Sequence, residues 1–104
     1  RIQGAWSVRL KPGGYHTDHF HPQGWISSAF YVETPEQALD RETREGWIRF
    51  GRPPIPTSPP LDAEHHVRPE PGRLVLFPSY MWHGTTPFTT DESRMTVAFD
   101  LIPA

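Results

Sequence analysis

The sequence predicts a mainly β domain, a sandwich or barrel of short antiparallel strands with at most one short helix. Three observations carry this. Thirteen prolines among 104 residues break up any long helix, because each removes a backbone donor and fixes φ. Runs of aromatic and β-branched residues recur between Pro/Gly turns at short intervals. In two of these runs an apolar face backs onto a face of small and polar groups, as the two-residue period of a strand sorts them.

Residues 5–10 (Ala-Trp-Ser-Val-Arg-Leu) alternate and read as the first strand, and residues 11–14 (Lys-Pro-Gly-Gly) turn the chain. Residues 15–21 are polar and histidine-rich and end at Pro22, where Pro22-Gln23-Gly24 turns again. Residues 25–32 (Trp-Ile-Ser-Ser-Ala-Phe-Tyr-Val) give the strongest strand signal. Ile26, Ser28, Phe30 and Val32 share one side of it; Trp25, Ser27, Ala29 and Tyr31 share the other. The one helix expected covers residues 35–45, with Thr34 as N-cap and Pro35 at the first helical position. A short strand follows at 46–51, then an irregular loop at 52–60 with five prolines. After a turn at 69–72, residues 73–77 (Arg-Leu-Val-Leu-Phe) read as a buried strand stopped by Pro78. Met81-Trp82-His83-Gly84 comes next, then a polar hairpin tip at 87–93 and a last strand at 94–101. There Met95, Val97, Phe99 and Leu101 face one way, and Arg94, Thr96, Ala98 and Asp100 the other. An interior lined by small and polar side chains suits a ligand cavity, whereas an ordinary core is lined by Leu, Ile and Val.

A chain of this length holds one domain and buries only about two-thirds of its unfolded surface. With no cysteine, no disulfide supports it, and a reducing cytoplasm is the expected location. A net charge of −2, from 10 Lys+Arg against 12 Asp+Glu, lacks the basic footprint of a nucleic-acid binder. No apolar run is long enough to cross a membrane, and no signal peptide is visible. We therefore expect neither a nucleic-acid nor a membrane partner. The chain begins at Arg1 without a methionine, and a preceding N-terminal helical segment is expected. That segment, or a second copy in a homo-oligomer, should cover the apolar stripes of the two long strands.

The sharpest chemical feature is His16-Thr17-Asp18-His19-Phe20-His21-Pro22. Residues i and i+2 of a strand share a face, so two ligand pairs are possible, His16 with Asp18 or His19 with His21. Imidazole and carboxylate both suit Fe(II) in sites that keep positions open for substrate and oxygen. The competing reading is a solvated polar turn without metal. A third ligand must come from His65, His66 or His83. The first two sit beside Glu64 and Arg68 and read as exposed loop histidines. His83, between Trp82 and Gly84 after a buried strand, suits a ligand facing a cavity; otherwise it is a core histidine bonded to backbone. Arg94 opens the last strand on its small and polar face. An inward guanidinium is costly unless it meets an anion, and a ligand carboxylate can accept two parallel bonds from it, with the Thr96 hydroxyl beside it. The plainer alternative is an ion pair with Asp91 or Glu92.

The order His-x-(His or Asp), a strand ending Tyr31-Val32, Pro-Gly-x-Leu-Val-Leu-Phe-Pro, Trp82-His83-Gly84 and Arg94-x-Thr96 resembles the 2-oxoglutarate/Fe(II)-dependent oxygenase superfamily. It is most similar to bacterial and phage oxygenases related to prolyl hydroxylases, which carry a His-x-His-Pro element before a serine-containing strand. The resemblance spans roughly residues 6–103. It implies an antiparallel double-stranded β-helix, a jelly roll of the cupin-like kind, with Fe(II) and 2-oxoglutarate as cofactors. On it, His19 is the first iron ligand and His83 the distal one. Arg94 grips the far carboxylate of 2-oxoglutarate, assisted by Thr96 and Tyr31. The departure is at the carboxylate ligand, since family members usually show His-x-Asp or His-x-Glu where this chain has His21. His16 with Asp18 offers the usual chemistry three residues earlier. His19 and His21 are preferred, because their distance to the Tyr31 strand and the match at Pro22 fit better.

The implied reaction couples substrate oxidation, usually hydroxylation, to decarboxylation of 2-oxoglutarate into succinate and CO2. The substrate, a small molecule or a peptide, is not readable, and residues 35–60 are expected to form the rim that selects it. Trp25, Trp82 and Tyr15 are candidate walls of the site or plain core and rim aromatics. Two other readings compete: a cupin-like module that holds a metal or small anion without turnover, and a structural fragment with a vestigial site. Arg94 discriminates, because a dicarboxylate co-substrate needs an inward cation and a simple metal-binding barrel does not.

Overall fold

A computed structural model describes residues 1–10, 15–87 and 94–104 of the protein. The turn at 11–14 and, apart from Pro87, the hairpin tip at 87–93 with Asp91 and Glu92 lie outside the described residues. Among the described residues, seven strands pair antiparallel: β1 (Ile2–Leu10), β2 (Ile26–Glu33), β3 (Ile48–Phe50), β4 (His65–Val67), β5 (Leu74–Pro78), β6 (His83–Thr85) and β7 (Arg94–Leu101). They form a four-stranded sheet in the order β1-β7-β2-β5 and a three-stranded sheet in the order β4-β3-β6. An isolated bridge between His19 and His83 adds the histidine-rich segment to the free side of β6. The chain passes back and forth between the two sheets, and the result is the antiparallel double-stranded β-helix.

The register shows how the faces are used. In the larger sheet, Trp6 lies opposite Ala98 and Val8 opposite Thr96, while Tyr31 lies opposite Thr96 and Ser27 opposite Asp100. Directly opposed residues share a face, so these side chains look inward. Between Ser27 and Phe30 the ladder to β7 is interrupted. There the Ser28 hydroxyl accepts the Phe99 N–H at 3.0 Å and donates to the Phe99 carbonyl at 2.9 Å. The opposite parity carries Ile26, Phe30, Leu74 and Leu76 to the outer face, where they are 37–56% exposed. Val97 pairs with Phe30 and Leu101 with Ile26 on that same face, so the two expected apolar stripes are one continuous surface.

The expected helix at 35–45 shrinks to a single 3-10 turn, Glu36–Leu39. The carbonyls at its end accept side-chain donors in place of the backbone N–H groups of a further turn. The Trp47 indole donates to the Ala38 carbonyl at 2.6 Å, and Arg68 Nε donates to the Leu39 carbonyl at 3.0 Å. Thr34, instead of capping, donates its hydroxyl to the Pro69 carbonyl at 2.6 Å. Strands β4 and β6 were not expected as strands. His65 and His66, read as loop residues, pair with Phe50 and Arg49 across β3.

The apolar core is small: Ile48, Phe50 and Phe77 are buried, with Ala29, Val67, Val75 and Met81 packed around them. Phe77 meets Phe50 edge-on at 5.0 Å between ring centroids and lies 4.6 Å from the His83 ring. Truncating it removes a pillar of both the core and the adjacent histidine. Phe77→Ala is expected to destabilise the fold by about 3–5 kcal/mol, a large part of the ~5–15 kcal/mol that holds a domain together. Phe77→Leu should lose much less. Equilibrium urea unfolding of the two variants checks this.

Candidate metal centre and anion pocket

The site grows from the bridge. The His19 N–H donates to the His83 carbonyl at 2.9 Å and the His83 N–H returns to the His19 carbonyl at 2.8 Å. The Thr85 N–H donates to the His16 carbonyl at 3.0 Å, and the His21 N–H to the Ser79 carbonyl at 2.9 Å. The segment is thereby held flat against β6. Gly84 is what lets it lie so close: a Cβ there would stand 2.6 Å from Asp18 Oδ1 and 3.1 Å from both Asp18 N and the His16 carbonyl oxygen. Any larger residue pushes the segment off the sheet.

His19, His21 and His83 come together, with one potential ligand atom of each within 4.8 Å of the others. Their ring centroids are 5.3 Å apart for His19 and His21, 4.2 Å for His19 and His83. In each ring Nδ1 faces an acceptor: the Thr17 carbonyl at 2.6 Å for His19, the Met81 carbonyl at 3.0 Å for His83 and Asp100 Oδ2 at 2.7 Å for His21. A carbonyl or ionised carboxylate can only accept, so Nδ1 carries the proton and Nε2 keeps its lone pair. Burial pushes the His83 pKa down to about 4, against the raising effect of its bond to Met81. His83 is thus neutral and able to ligate at neutral pH.

Asp18 is not in this group. Its carboxylate is buried and doubly bonded to Arg49, from Nε at 2.9 Å and Nη2 at 3.1 Å, with Arg52 at 3.5 Å. His16 lines the cavity, and burial, then Arg94 and His19, lower its pKa. His66 is bonded to Arg44, away from the cluster.

The same cavity, of about 80 Å³, is also lined by Arg94, 3% exposed. Its Nη1 donates to the Gly46 carbonyl at 2.7 Å, and Nη2 reaches Thr85 Oγ1 only at 3.5 Å. Nε is buried without a partner among the described residues. The guanidinium carbon lies 5.8 Å from the Tyr31 ring centroid. Burial lowers the Arg94 pKa, partly opposed by Tyr31, and it pushes the Tyr31 phenol up to about 12, so that the hydroxyl stays protonated. Tyr31 and Thr96 both line the cavity and are buried. Of the aromatics offered as walls, Trp25, Trp82 and Tyr15 all lie outside the cavity, and its walls are Trp6, Ile48 and Phe77. Tyr15 instead lines a wider groove with Arg52 and prolines of the 52–60 loop.

Sequence reasoning passed over Asp100, Thr85, the Gly46 carbonyl and Trp6. Strand parity had already placed Asp100 on the face of Arg94 and Thr96, and that signal was sufficient. The Gly46 carbonyl has no sequence signal, since any residue carries one.

Among known proteins, a family profile described as "Putative 2OG-Fe(II) oxygenase" matches residues 4–100. No curated protein matches the chain. Among solved structures, the chain is similar to a prolyl-4-hydroxylase from Pseudomonas putida, with 20% identity and a TM-score of 0.67 over 96% of this chain and 51% of that one. It is also similar to the protein TT1209 from Thermus thermophilus, with 18% identity and a TM-score of 0.59 over 93% and 70% of the two chains. A third likeness is to the capsular polysaccharide assembling protein CapF from Staphylococcus aureus, with 14% identity and a TM-score of 0.56 over 95% and 25%. At such identities these structures share the fold, and the chain spans about half the length of the prolyl-4-hydroxylase. The profile runs from β1 through β7 and takes in His19, His21, His83 and Arg94; the chain belongs to the 2OG-Fe(II) oxygenase family, whose cofactors are Fe(II) and 2-oxoglutarate.

Proposed function

We propose that this chain is the catalytic core of an Fe(II)- and 2-oxoglutarate-dependent oxygenase that hydroxylates a small molecule or a peptide and releases succinate and CO2. The observation that carries this is one cavity lined both by three metal-competent histidines and by a buried guanidinium whose Nε has no partner among the described residues. The donor set fits the metal. Three imidazoles suit a divalent first-row ion, and a three-histidine face leaves coordination positions open.

His19, His21 and His83 would hold the iron. When bound, iron and the 2-oxo acid supply the oxidising chemistry, and the protein supplies position, charge and exclusion of water. Arg94 takes the far carboxylate. Its Nη1 is already occupied by Gly46, so the edge left for a two-pronged bond is Nε with Nη2. Tyr31, protonated, and Thr96 contribute hydroxyls. Trp6, Ile48 and Phe77 keep the space between apolar and dry. The groove beside Tyr15 and Arg52, bordered by the proline-rich loop, supports a substrate rim in the part of the chain where loops vary most freely.

The ligand pair is testable by anaerobic Fe(II) titration. His21→Ala and His83→Ala are each expected to weaken binding by more than ~100-fold, beyond the ~10–100-fold typical of outer-shell changes. Asp18→Asn should keep affinity within about tenfold while lowering the melting temperature, because it removes the partner of buried Arg49. The reverse pattern would make His16 and Asp18 the pair.

Arg94→Ala is expected to raise the apparent constant for 2-oxoglutarate by on the order of a hundredfold or more, given several kcal/mol for a lost buried partner. Iron affinity should change little. Arg94→Lys should recover part of the loss, since lysine keeps the charge without the planar fork. The measurement is succinate formation against 2-oxoglutarate at saturating iron. A wild type that neither binds nor turns over 2-oxoglutarate would return the chain to a metal- or anion-binding module.

A further inference from the structure

The family's usual ligand set contains a carboxylate, and this triad of histidines does not. A carboxylate is nevertheless present. Asp100, near the end of β7, sets Oδ2 at 2.7 Å from His21 Nδ1. Its side chain is 13% exposed, and among the described residues its ion-pair partner is His21 alone. Oδ1 is buried with no hydrogen-bond partner among the described residues. A shielded carboxylate in this condition is costly unless positive charge stands nearby, and a metal ion on the far side of His21 would supply it.

The surroundings hold this arrangement closely. Ser27 Oγ lies 3.3 Å from the same His21 Nδ1 and 2.8 Å from Ser79 Oγ, and both serines are fully buried. At Gly24 a Cβ would stand 2.6 Å from Ser79 Oγ and 3.3 Å from Asp100 Cβ. Two serines and a glycine thus pack the carboxylate and the imidazole edge into one geometry.

We propose that Asp100 is the charge-bearing carboxylate of this metal centre, set one imidazole behind the ion instead of on it. Asp100 orients the His21 ring, accepts the hydrogen bond from its Nδ1–H and leaves Nε2 for the metal. Through that bond it supplies the negative charge that an Asp or Glu at position 21 would supply directly. A carboxylate behind a ligating histidine fixes its tautomer and raises its basicity. Asp100 is on this view a positioning residue. The inference rests on the oxygenase reading only in taking His19, His21 and His83 as the ligands.

The test uses metal alone. Fe(II) and Co(II) are titrated anaerobically into the wild type, Asp100→Asn, His21→Asp and the double variant His21→Asp/Asp100→Asn. Co(II) visible bands and the Fe(III)/Fe(II) midpoint potential are recorded alongside. Asp100→Asn is expected to lower affinity by ~10–100-fold, to shift the Co(II) bands and to raise the potential, because the ferric state loses a compensating charge. Its metal-free melting temperature should not fall. The double variant should bind more tightly than Asp100→Asn, since a carboxylate then reaches the ion directly. A merely structural Asp100 predicts no such regain. Should Asp100→Asn not fold, Asp100→Ser serves in its place. Unchanged affinity, bands and potential in a wild type that does bind metal overturn this inference and leave the oxygenase reading standing. Additive losses in the double variant do the same. A wild type that takes up neither metal overturns both.

Discussion

Two reciprocal backbone hydrogen bonds between His19 and His83 decide where the chemistry sits. Directly opposed residues of an antiparallel pair share a face, so this one bridge makes two imidazoles neighbours. The two-residue strand period then brings His21 to the same face and turns Asp18 and Phe20 away. Asp18 accordingly meets Arg49 on the other side, and Phe20 is 47% exposed. A slip of one residue would reverse all of this. The register is secured by contacts that tolerate no slip: the glycine at 84 under Asp18 and His16, the two-pronged Asp18–Arg49 pair, and the Ser79 carbonyl that takes the His21 N–H.

Assigning the inward faces of β2 and β7 to polar work shapes the energetics. Ser27, Ser28, Tyr31, Arg94 and Thr96 are buried where a structural jelly roll would place aliphatic residues, and the apolar core retreats to the β3–β5 side. Each buried polar group must then find a partner or remain costly. Ser27 finds Ser79, Ser28 bridges the Phe99 backbone, and Arg94 finds the Gly46 carbonyl. Among the described residues, the buried side-chain atoms left over are Arg94 Nε and Asp100 Oδ1. They bear opposite charge: Arg94 lines the cavity itself, and Asp100 stands behind His21, which lines it. Where a small domain leaves such groups unpaired, a ligand is the physically economical explanation.

Much of the fold was legible because it rests on local rules. Proline density, turn chemistry and strand parity placed β1, β2, β5 and β7 within a few residues of where they lie, and parity separated the faces of β7 and most of β2. It failed at Ser28, which shares the parity of Ile26 and Phe30 yet is buried and lines the cavity, and at Trp25, which is 68% exposed. What local rules could not supply was partnership. β4 and β6 are three residues each, too short for a periodic signal, and exist because β3 offers both its edges. The helix at 35–45 satisfied every local criterion and was overridden by Trp47 and Arg68, residues 9 and 29 positions from the carbonyls they capture. Likewise, spacing admitted both His16/Asp18 and His19/His21; the orientation of one pair toward β6 and of the other toward Arg49 is a tertiary fact.

β7 states the logic of the site in four inward residues. Arg94, buried and cationic, opens the strand, Thr96 and Ala98 follow, and Asp100, anionic, stands near its end. The two middle residues are small and both line the cavity, so the strand leaves room between a fixed positive and a fixed negative group. On the proposed reading, a dicarboxylate held by Arg94 would extend toward the histidines, and an ion held by them would meet a field already biased by Asp100. Charge of each sign is thus in place beforehand, Arg94 in the cavity walled by Trp6, Ile48 and Phe77 and Asp100 buried behind His21, where the low dielectric strengthens both interactions. The same low dielectric makes either charge expensive in isolation, which is why the strand carries them as a pair.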